Sequence, residues 1–193
     1  MKSKGPGQSA LLLLDVIHVL NENHVPYAVI GAFAASFHGV IRATLDADVL
    51  ISLHPNRENV SALITKLKKS GLKVTYKKGD ADDPVGAVIN MEDDFHNRVD
   101  FLMNIKGMTG DVFKRTIEAD FMNKKICIIG IEDFIAMKIF AGGPKDLNDI
   151  AGVLKVSYKK INLSLLRSLV GKYGKAAVST LESFLKERNS PGQ

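Results

Sequence analysis

The sequence predicts an α/β (or α+β) fold, in which helices flank a mixed sheet and a helical part follows at the C-terminal end. Up to residue 130, short apolar runs typical of strands alternate with helices that are apolar on one side, and after it only helical patterns remain. The chain has 193 residues, 46% of them hydrophobic, which is enough for one sizeable core. We therefore expect a disordered tail at residues 1–8, an α/β domain at residues 9–130 and a helical part at residues 131–188.

End signals delimit the helices of the first part. Ser9 is expected to be the N-cap of a helix over residues 9–23. A short helix is expected at residues 32–37, and Pro55 is expected in the first turn of the next helix, which Gly71 ends. The apolar residues of that helix recur at helical spacing: Val60, Leu63, Ile64 and Leu67.

Apolar and alternating runs delimit the strands. Strands are expected at residues 25–30, 47–53, 72–76, 85–91, 98–103 and 126–129. Lys124 and Lys125 are expected in a turn before the last of these strands. The later helices are expected at residues 132–140, 145–154, 163–172 and 175–188.

The composition narrows the function classes without choosing one. The net charge of +5 fits either a solvated lysine-rich surface or a partner that carries phosphates, such as a nucleotide or RNA. Cys127 is the only cysteine, so an internal disulfide and a thiolate zinc site are excluded, and its apolar neighbours predict a buried thiol. Because no apolar segment is long enough to span a bilayer, we expect a cytoplasmic protein without a membrane partner.

An acidic pair stands at the start of the second expected strand. Asp46 and Asp48 are two residues apart, so in a strand both carboxylates point to one face, roughly 7 Å apart at Cα. Neighbouring carboxylates repel each other, and a hard cation such as Mg²⁺ relieves that repulsion. The alternative is a solvated strand end.

A third carboxylate is expected from the strand at residues 98–103. Asp100 lies between Val99 and Phe101, the alternation of a half-buried strand. Asp93 and Asp94 are also acidic, but adjacent aspartates are more typical of an exposed turn. We therefore select Asp100 to join Asp46 and Asp48.

Two groups of residues stand in an order and spacing that point to a family. The first comprises Gly31-Ala32, Arg42-x-Thr44-x-Asp46-x-Asp48 and Val99-Asp100-Phe101-Leu102. The second comprises Gly130-Ile-Glu-Asp-Phe-Ile-Ala-Met-Lys138 and Lys145-Asp146-x-x-Asp149. Together, over residues 25–155, they resemble the nucleotidyltransferase superfamily with the DNA polymerase β fold. The pattern is most similar to the AbiEii-like branch, which includes toxins of type IV toxin–antitoxin systems.

The resemblance implies a reaction and a set of roles. The enzyme would transfer NMP from an NTP to a hydroxyl on an RNA end, a protein side chain or a small molecule, and release pyrophosphate. Asp46, Asp48 and Asp100 would be the catalytic residues and would bind Mg²⁺, or Mn²⁺ in its place. The turn at Gly31 and Ala32 would let the backbone approach the triphosphate. A toxin of this branch would also have a separate antitoxin protein as its partner.

The turn at Gly31-Ala32 departs from the family pattern, and this departure motivates a second hypothesis for the function. The family usually has Gly-Gly or Gly-Ser at the turn, and Ala32 lacks a hydroxyl and would be strained if it needed a positive φ. A relative that binds nucleotide or RNA without catalysis is therefore the alternative to an enzyme.

The other nucleotide-binding candidates each have a plain structural alternative. Arg42 either contacts a phosphate or steadies the strand, and Thr44 either contacts nucleotide or makes a local hydrogen bond. Lys138 either neutralises a phosphate or lies on a polar helix face. Lys145 and Asp146, with Asp149, either form a network with Lys138 or Arg42 or lie on a solvated helix face. For His38, a cap or a partly buried ring is favoured over a nucleotide contact.

Overall fold

The computed structural model describes residues 3–53 and 57–189, which form a seven-stranded sheet and seven α-helices. The strands are β1 (Tyr27–Val29), β2 (Asp46–Ile51), β3 (Lys73–Lys78), β4 (Val85–Glu92), β5 (Arg98–Ile105), β6 (Ile117–Phe121) and β7 (Lys124–Ile128). The helices are α1 (Ser9–Glu22), α2 (Gly31–Phe37), α3 (Arg57–Lys69), α4 (Ile131–Ala141), α5 (Pro144–Ser157), α6 (Leu163–Gly171) and α7 (Lys175–Asn189).

The sheet is mixed, as the sequence predicts. Its strand order is β3-β4-β5-β2-β1-β7-β6. β2 runs parallel to β5 and β1 runs parallel to β7, whereas every other neighbouring pair is antiparallel. The parallel pairing of β2 with β5 brings together two strands that are far apart in sequence, and both carry candidate acidic residues.

The half of the sheet built from β2, β5, β4 and β3 has one closed face and one open face. Val99, Phe101 and Met103 of β5 are buried, whereas Asp100 and Leu102 between them are half-buried. α1 packs on β2 and β5, and α3 packs on β3. The alternation of two per strand therefore directs the apolar side chains toward these helices and the polar ones toward the open face.

α4 is the central helix of the C-terminal part. It packs against α5, α6 and α7, and buried side chains cover all its sides, among them Phe134, Met137 and Lys138. Burial on all sides places α4 in the interior of the C-terminal part. One continuous hydrophobic core joins these helices to the sheet across the predicted boundary at residue 130.

The region of β6 and β7 differs from the sequence prediction. β6 was not expected, although Ile117, Ala119 and Phe121 alternate with charged residues as in an exposed edge strand. The predicted turn at Lys124 and Lys125 is wrong, because both residues belong to β7 and pair with β6. The turn instead lies at Met122 and Asn123, whose φ angles of 49° and 63° suit a tight hairpin.

The N-terminal residues also differ from the expectation. Residues 3–8, expected to be disordered, contact the β4–β5 turn, where the Asn97 amide donates to the Gly5 carbonyl and accepts from the Gln8 N–H. Ser9 does not cap α1, since Gln8 occupies that position. Its hydroxyl instead donates to the Leu45 carbonyl at 2.6 Å and accepts from the Arg98 N–H at 3.2 Å.

The structure resolves two smaller expectations, at Asp93 and at Cys127. Asp93 is buried, so the exposed turn predicted for Asp93 and Asp94 holds for Asp94 alone. Cys127 is half-buried rather than buried. The helix start predicted at Pro55 lies outside the described residues. None of the described helices is long and apolar enough to cross a membrane.

Candidate active site

Three aspartates meet on the open face of the sheet. The parallel register places Asp48 of β2 opposite Asp100 of β5, and Asp46 opposite Arg98. Paired residues on neighbouring strands project to the same face, and the period of two keeps Asp46 and Asp48 together. The carboxylates of Asp46, Asp48 and Asp100, called here the carboxylate cluster, therefore share one face.

Gly31 lies directly beside this cluster. The N–H of Ile30 donates to the Asp48 carbonyl at 2.9 Å, so the chain leaves β1 next to Asp48. Gly31 then adopts a φ of +63°, and a Cβ at this position would lie 2.2 Å from the Asp48 carboxylate oxygen Oδ2. Glycine is therefore required both by the backbone conformation and by the space next to Asp48.

Within the cluster, ionisation of the Asp48 carboxyl is disfavoured. Burial, followed by the negative charges of Asp46 and Asp100, raises the pKa of Asp48 to about 6. The positive charges of Lys138 and Arg42 oppose that rise only in part. A bound cation would remove the repulsion and favour the ionised form, so the environment of Asp48 fits a divalent-metal ligand.

The two flanking carboxylates are held by neutral side chains. The Thr44 hydroxyl lies 2.8 Å from Oδ1 of Asp46 and 3.0 Å from the Asp46 carbonyl. The Asn90 amide of β4 donates to Oδ1 of Asp100 at 2.9 Å. Thr44 therefore has the local hydrogen bond that the sequence offered as its alternative role.

A network of ion pairs adjoins the cluster. The Arg42 guanidinium donates to both oxygens of Asp149, at 3.1 and 3.4 Å. Lys138 Nζ lies 2.6 Å from Oδ1 of Asp146 and 3.0 Å from Oδ2 of Asp149. Lys138 and Asp149 are buried, so they satisfy each other in a low-dielectric environment. The network joins the loop before β2 to α4 and α5.

An open cleft of about 450 Å³ connects the cluster with this network. Gly31, Asp48, Lys138 and Asp146 line its polar part. The rest is largely apolar: Pro84, Val85, Leu102, Ile105, Met137, Phe140 and Ala141. An apolar pocket with a few convergent polar groups is the usual form of a small-molecule site.

The cluster lacks the form of a closed metal cage. Among the described residues, no group of three or more His, Cys, Asp or Glu side chains is arranged to hold a metal ion. Mg²⁺ in phosphate-transfer sites is commonly held by one or two carboxylates, with substrate phosphates and water completing its shell. The raised pKa of Asp48 and the small space at Gly31 fit that incomplete type of site.

The structure brings most of the sequence candidates together, but Lys145 stays apart. Lys145 is exposed in the first turn of α5, whereas its neighbour Asp146 lines the cleft. Ala32 is buried in α2 and is not among the described residues with a positive φ. The strain foreseen at Ala32 is therefore absent, because Gly31 adopts the unusual conformation.

Sequence reasoning missed Asn90 and most of the apolar wall. Asn90 has no motif around it, and only the register of β4 against β5 places it beside Asp100. Met137 and Phe140 belong to the predicted helix after Gly130, but their apolar character is equally typical of a core. The one available signal for Asn90 was a polar residue in the middle of a strand-forming run.

Several solved structures share this fold. ANT(2″)-Ia in complex with adenylyl-2″-tobramycin matches with a TM-score of 0.60 and 14% identity, over 86% of this chain and 99% of that chain. A putative nucleotidyltransferase from Thermotoga maritima matches with a TM-score of 0.51 and 14% identity, over 75% and 91%. The lincomycin-bound lincosamide adenylyltransferase LnuA matches with a TM-score of 0.50 and 13% identity, over 80% and 100%. At such identities the likeness shows the fold alone.

The sequence comparisons identify the family. No curated protein sequence matches the chain significantly. The model of a family described as nucleotidyltransferase of unknown function (DUF6036) matches residues 11–188, nearly the whole chain. The superfamily predicted from the motifs is thereby confirmed, whereas the AbiEii-like branch stays a prediction. The chain belongs to the DUF6036 family of nucleotidyltransferases of unknown function.

Proposed function

We propose that this protein is a Mg²⁺-dependent nucleotidyltransferase, able to use Mn²⁺ in place of Mg²⁺, that transfers NMP from an NTP to a hydroxyl group. The observation that carries the proposal is the register of β2 against β5, which aligns Asp48 with Asp100 beside the cleft. Membership of a nucleotidyltransferase family supports the same chemistry. The cleft volume of about 450 Å³ lies within the range typical of small-ligand sites.

The chemistry needs charge stabilisation more than covalent help from the protein. The acceptor oxygen forms a bond to the α-phosphorus, the bond from that phosphorus to the bridging oxygen breaks, and pyrophosphate leaves. Divalent metal, when bound, stabilises the charge on the attacking and leaving oxygens. Asp46 and Asp48 would hold the metal, and Asp100 would hold a second ion or take the proton of the acceptor hydroxyl.

We assign the basic residues to binding of the polyphosphate of the NTP. Lys138 lines the same cleft as Asp48 and is suited to contact a phosphate oxygen. Arg42 is one-third exposed and reaches the same region from the loop before β2. We assign the phosphate-facing backbone to Gly31 and Ala32, and we keep Thr44, Lys145 and Asp146 as candidate nucleotide contacts.

The apolar wall is assigned to the nucleoside. Val85, Leu102, Met137 and Phe140 line the apolar part of the cleft, where a base and ribose can pack. The acceptor stays open among an RNA end, a protein side chain and a small molecule.

Transfer of label tests the proposal directly. The protein is incubated with each NTP labelled at the α-phosphate, Mg²⁺ and a cell extract, and the labelled product is identified. We expect labelling with wild-type protein and with Asp94→Asn, an exposed aspartate on the β4–β5 turn, and loss of labelling with Asp48→Asn. Labelling that survives in Asp48→Asn contradicts the proposal. Binding of NTP without transfer to any acceptor supports the non-catalytic relative instead.

The toxin hypothesis has a separate test. If the protein is the toxin of a toxin–antitoxin pair, expression of the wild type arrests growth and expression of Asp48→Asn does not. Equal growth in both cases contradicts the hypothesis of a toxin with an antitoxin partner. The transferase proposal is unaffected by that result.

A further inference from the structure

A row of polar side chains crosses four strands on the open face of the sheet. The register pairs Asp48 with Asp100, Asp100 with Asn90, and Asn90 with Thr75. All four side chains therefore project to the same face. The row starts at the carboxylate cluster and ends at the edge strand β3. A side chain of β4 can therefore contact Asp100, which belongs to the cluster.

Hydrogen bonds connect the outer members of this row. The Asn90 amide nitrogen Nδ2 donates to Oδ1 of Asp100 at 2.9 Å. The Thr75 hydroxyl donates to the amide oxygen Oδ1 of Asn90 at 3.4 Å, a longer and weaker contact. An ionised carboxylate accepts hydrogen bonds only, so the NH₂ end of the amide must face Asp100, and Thr75 favours that same orientation.

Asn90 contributes little apolar packing to the sheet. Its neighbours Ile89 and Met91 are buried on the other face, whereas Asn90 itself is half-buried on the open face. Asparagine is depleted in strands, because its short polar side chain packs poorly on a pleated surface. The two hydrogen bonds given above are both made to side chains of the polar row.

We propose that Asn90 is a positioning residue that fixes the Asp100 carboxylate for the reaction, an inference that rests on the function proposed above. The amide holds one oxygen of Asp100, which leaves the carboxylate in one orientation beside Asp48. A side chain that orients a metal-ligating carboxylate commonly changes metal affinity or activity by about 10- to 100-fold when it is removed. Thr75 supports Asn90 through the weaker hydrogen bond.

The test measures Mn²⁺ binding, which does not depend on turnover. Free Mn²⁺ is titrated against the full chain and followed by electron paramagnetic resonance, in wild type, Asn90→Leu, Thr75→Val and the control Val88→Ala. Val88 lies two residues from Asn90 on the same strand and the same face. We expect Asn90→Leu to bind Mn²⁺ about 10-fold more weakly or worse. Thr75→Val should show a smaller loss, and Val88→Ala should behave as wild type.

Nucleotide transfer gives a second readout of the positioning role. We expect Asn90→Leu to lower kcat while the KM for NTP changes little, because the cleft that binds the nucleotide is untouched. Equal Mn²⁺ affinity and equal kcat in wild type and Asn90→Leu overturn the inference. If Asn90→Leu fails to fold, unchanged Mn²⁺ affinity in Thr75→Val overturns it.

The two proposals fail in distinguishable ways. Wild-type protein that neither binds Mn²⁺ nor transfers nucleotide contradicts the proposed function, and the role of Asn90 falls with it. If wild type and Asn90→Leu bind Mn²⁺ and transfer nucleotide equally well, the role of Asn90 is contradicted and the proposed function stands. A loss of affinity in Val88→Ala equal to that in Asn90→Leu also overturns the inference, because it assigns the effect to packing of β4.

Discussion

Asp48 and Asp93 are two aspartates near the same sheet with opposite electrostatic environments. Burial, Asp46 and Asp100 raise the pKa of Asp48 to about 6. Burial also raises the pKa of Asp93, but hydrogen bonds from Ser3, Asn97 and the Phe95 N–H outweigh it and lower the pKa below the usual value. Burial alone therefore does not mark a functional carboxylate.

The partners explain the difference. Asp93 accepts hydrogen bonds from the Phe95 N–H at 2.8 Å, the Asn97 N–H at 3.0 Å and the Asn97 amide at 2.8 Å. Its charge is satisfied within the fold, and it ties the N-terminal residues to the β4–β5 turn through Ser3. The charge of Asp48 faces other carboxylates, so its stabilisation is expected to come from a ligand.

Replacing Asp48 is expected to have the largest effect. Asp48→Asn should lower nucleotide transfer by about 1,000-fold or more, which corresponds to roughly 4 kcal/mol of transition-state stabilisation. The same change should raise the thermal midpoint of the metal-free protein, because it removes a half-buried charge that faces two like charges. Steady-state kinetics and a thermal melt in EDTA measure the two effects. A variant that is both less active and less stable contradicts the comparison.

Asp149 extends the comparison to a buried carboxylate that is paired with cations. Asp149→Ala leaves the buried Lys138 with Asp146 alone and releases Arg42, so we expect a loss of about 3 kcal/mol of unfolding free energy. Urea denaturation measures the loss. The solvent-accessible pair of Arg167 and Glu182 provides the control, and Glu182→Ala should cost much less than Asp149→Ala because water screens that pair. Equal costs in the two variants would argue against a buried network.

Asp93 should behave in the opposite way to Asp48. Asp93→Ala leaves the N–H groups of Phe95 and Asn97 without their acceptor, so we expect a loss of about 2 kcal/mol of unfolding free energy. Nucleotide transfer by the folded protein at low temperature should stay at the wild-type value. The thermal midpoint and kcat, measured side by side, decide the matter. A large loss of kcat at full folding would show that the two regions are coupled.

His38 gives the smallest expected effect, a pH dependence of stability. Burial lowers the pKa of His38, whose Nε2 lies 2.9 Å from the Ile129 carbonyl, and the charges of Glu132 and Lys160 act on it in opposite directions. The unfolded chain therefore takes up a proton more readily than the folded protein. The contribution of His38 is complete above pH 6.5 and is lost as the pH falls through the lowered pKa.

The variant His38→Gln isolates this contribution. Urea midpoints are measured between pH 8 and pH 5 for wild type and His38→Gln. We expect the wild-type midpoint to fall more steeply than that of the variant as the pH drops below 6.5. Parallel curves would show that His38 does not contribute to the acid sensitivity.

The contrast between Asp48 and Asp93 also marks the limit of sequence reasoning. Asp46, Asp48 and Asp100 were found because their alternation with apolar residues predicts both strand and face. The burial of Asp93 was not predicted, because Ser3 is brought to it by packing of the N-terminal residues, which local pattern does not encode. The same reason hid Asn90, whose role depends on strand register.

Apolar stripes along the helices and turn residues between elements predict most of the fold. Apolar periodicity reports which face of a long element is buried, so the helices and the central strands were predicted well. β6 was missed, since a short exposed edge strand buries little apolar surface. The positive φ at Gly31 rather than Ala32 could be assigned only once the path of the chain from β1 to α2 was known.

We propose above that Asp46, Asp48 and Asp100 catalyse metal-dependent transfer of NMP, which releases pyrophosphate from an NTP. The most direct measurement is pyrophosphate release in a cell extract supplemented with purified protein, NTP and Mg²⁺, for wild type, Asp48→Asn and wild type with EDTA. We expect release above the level of extract alone only for wild type with Mg²⁺. Release that persists at the wild-type rate in Asp48→Asn, or in EDTA, would contradict it.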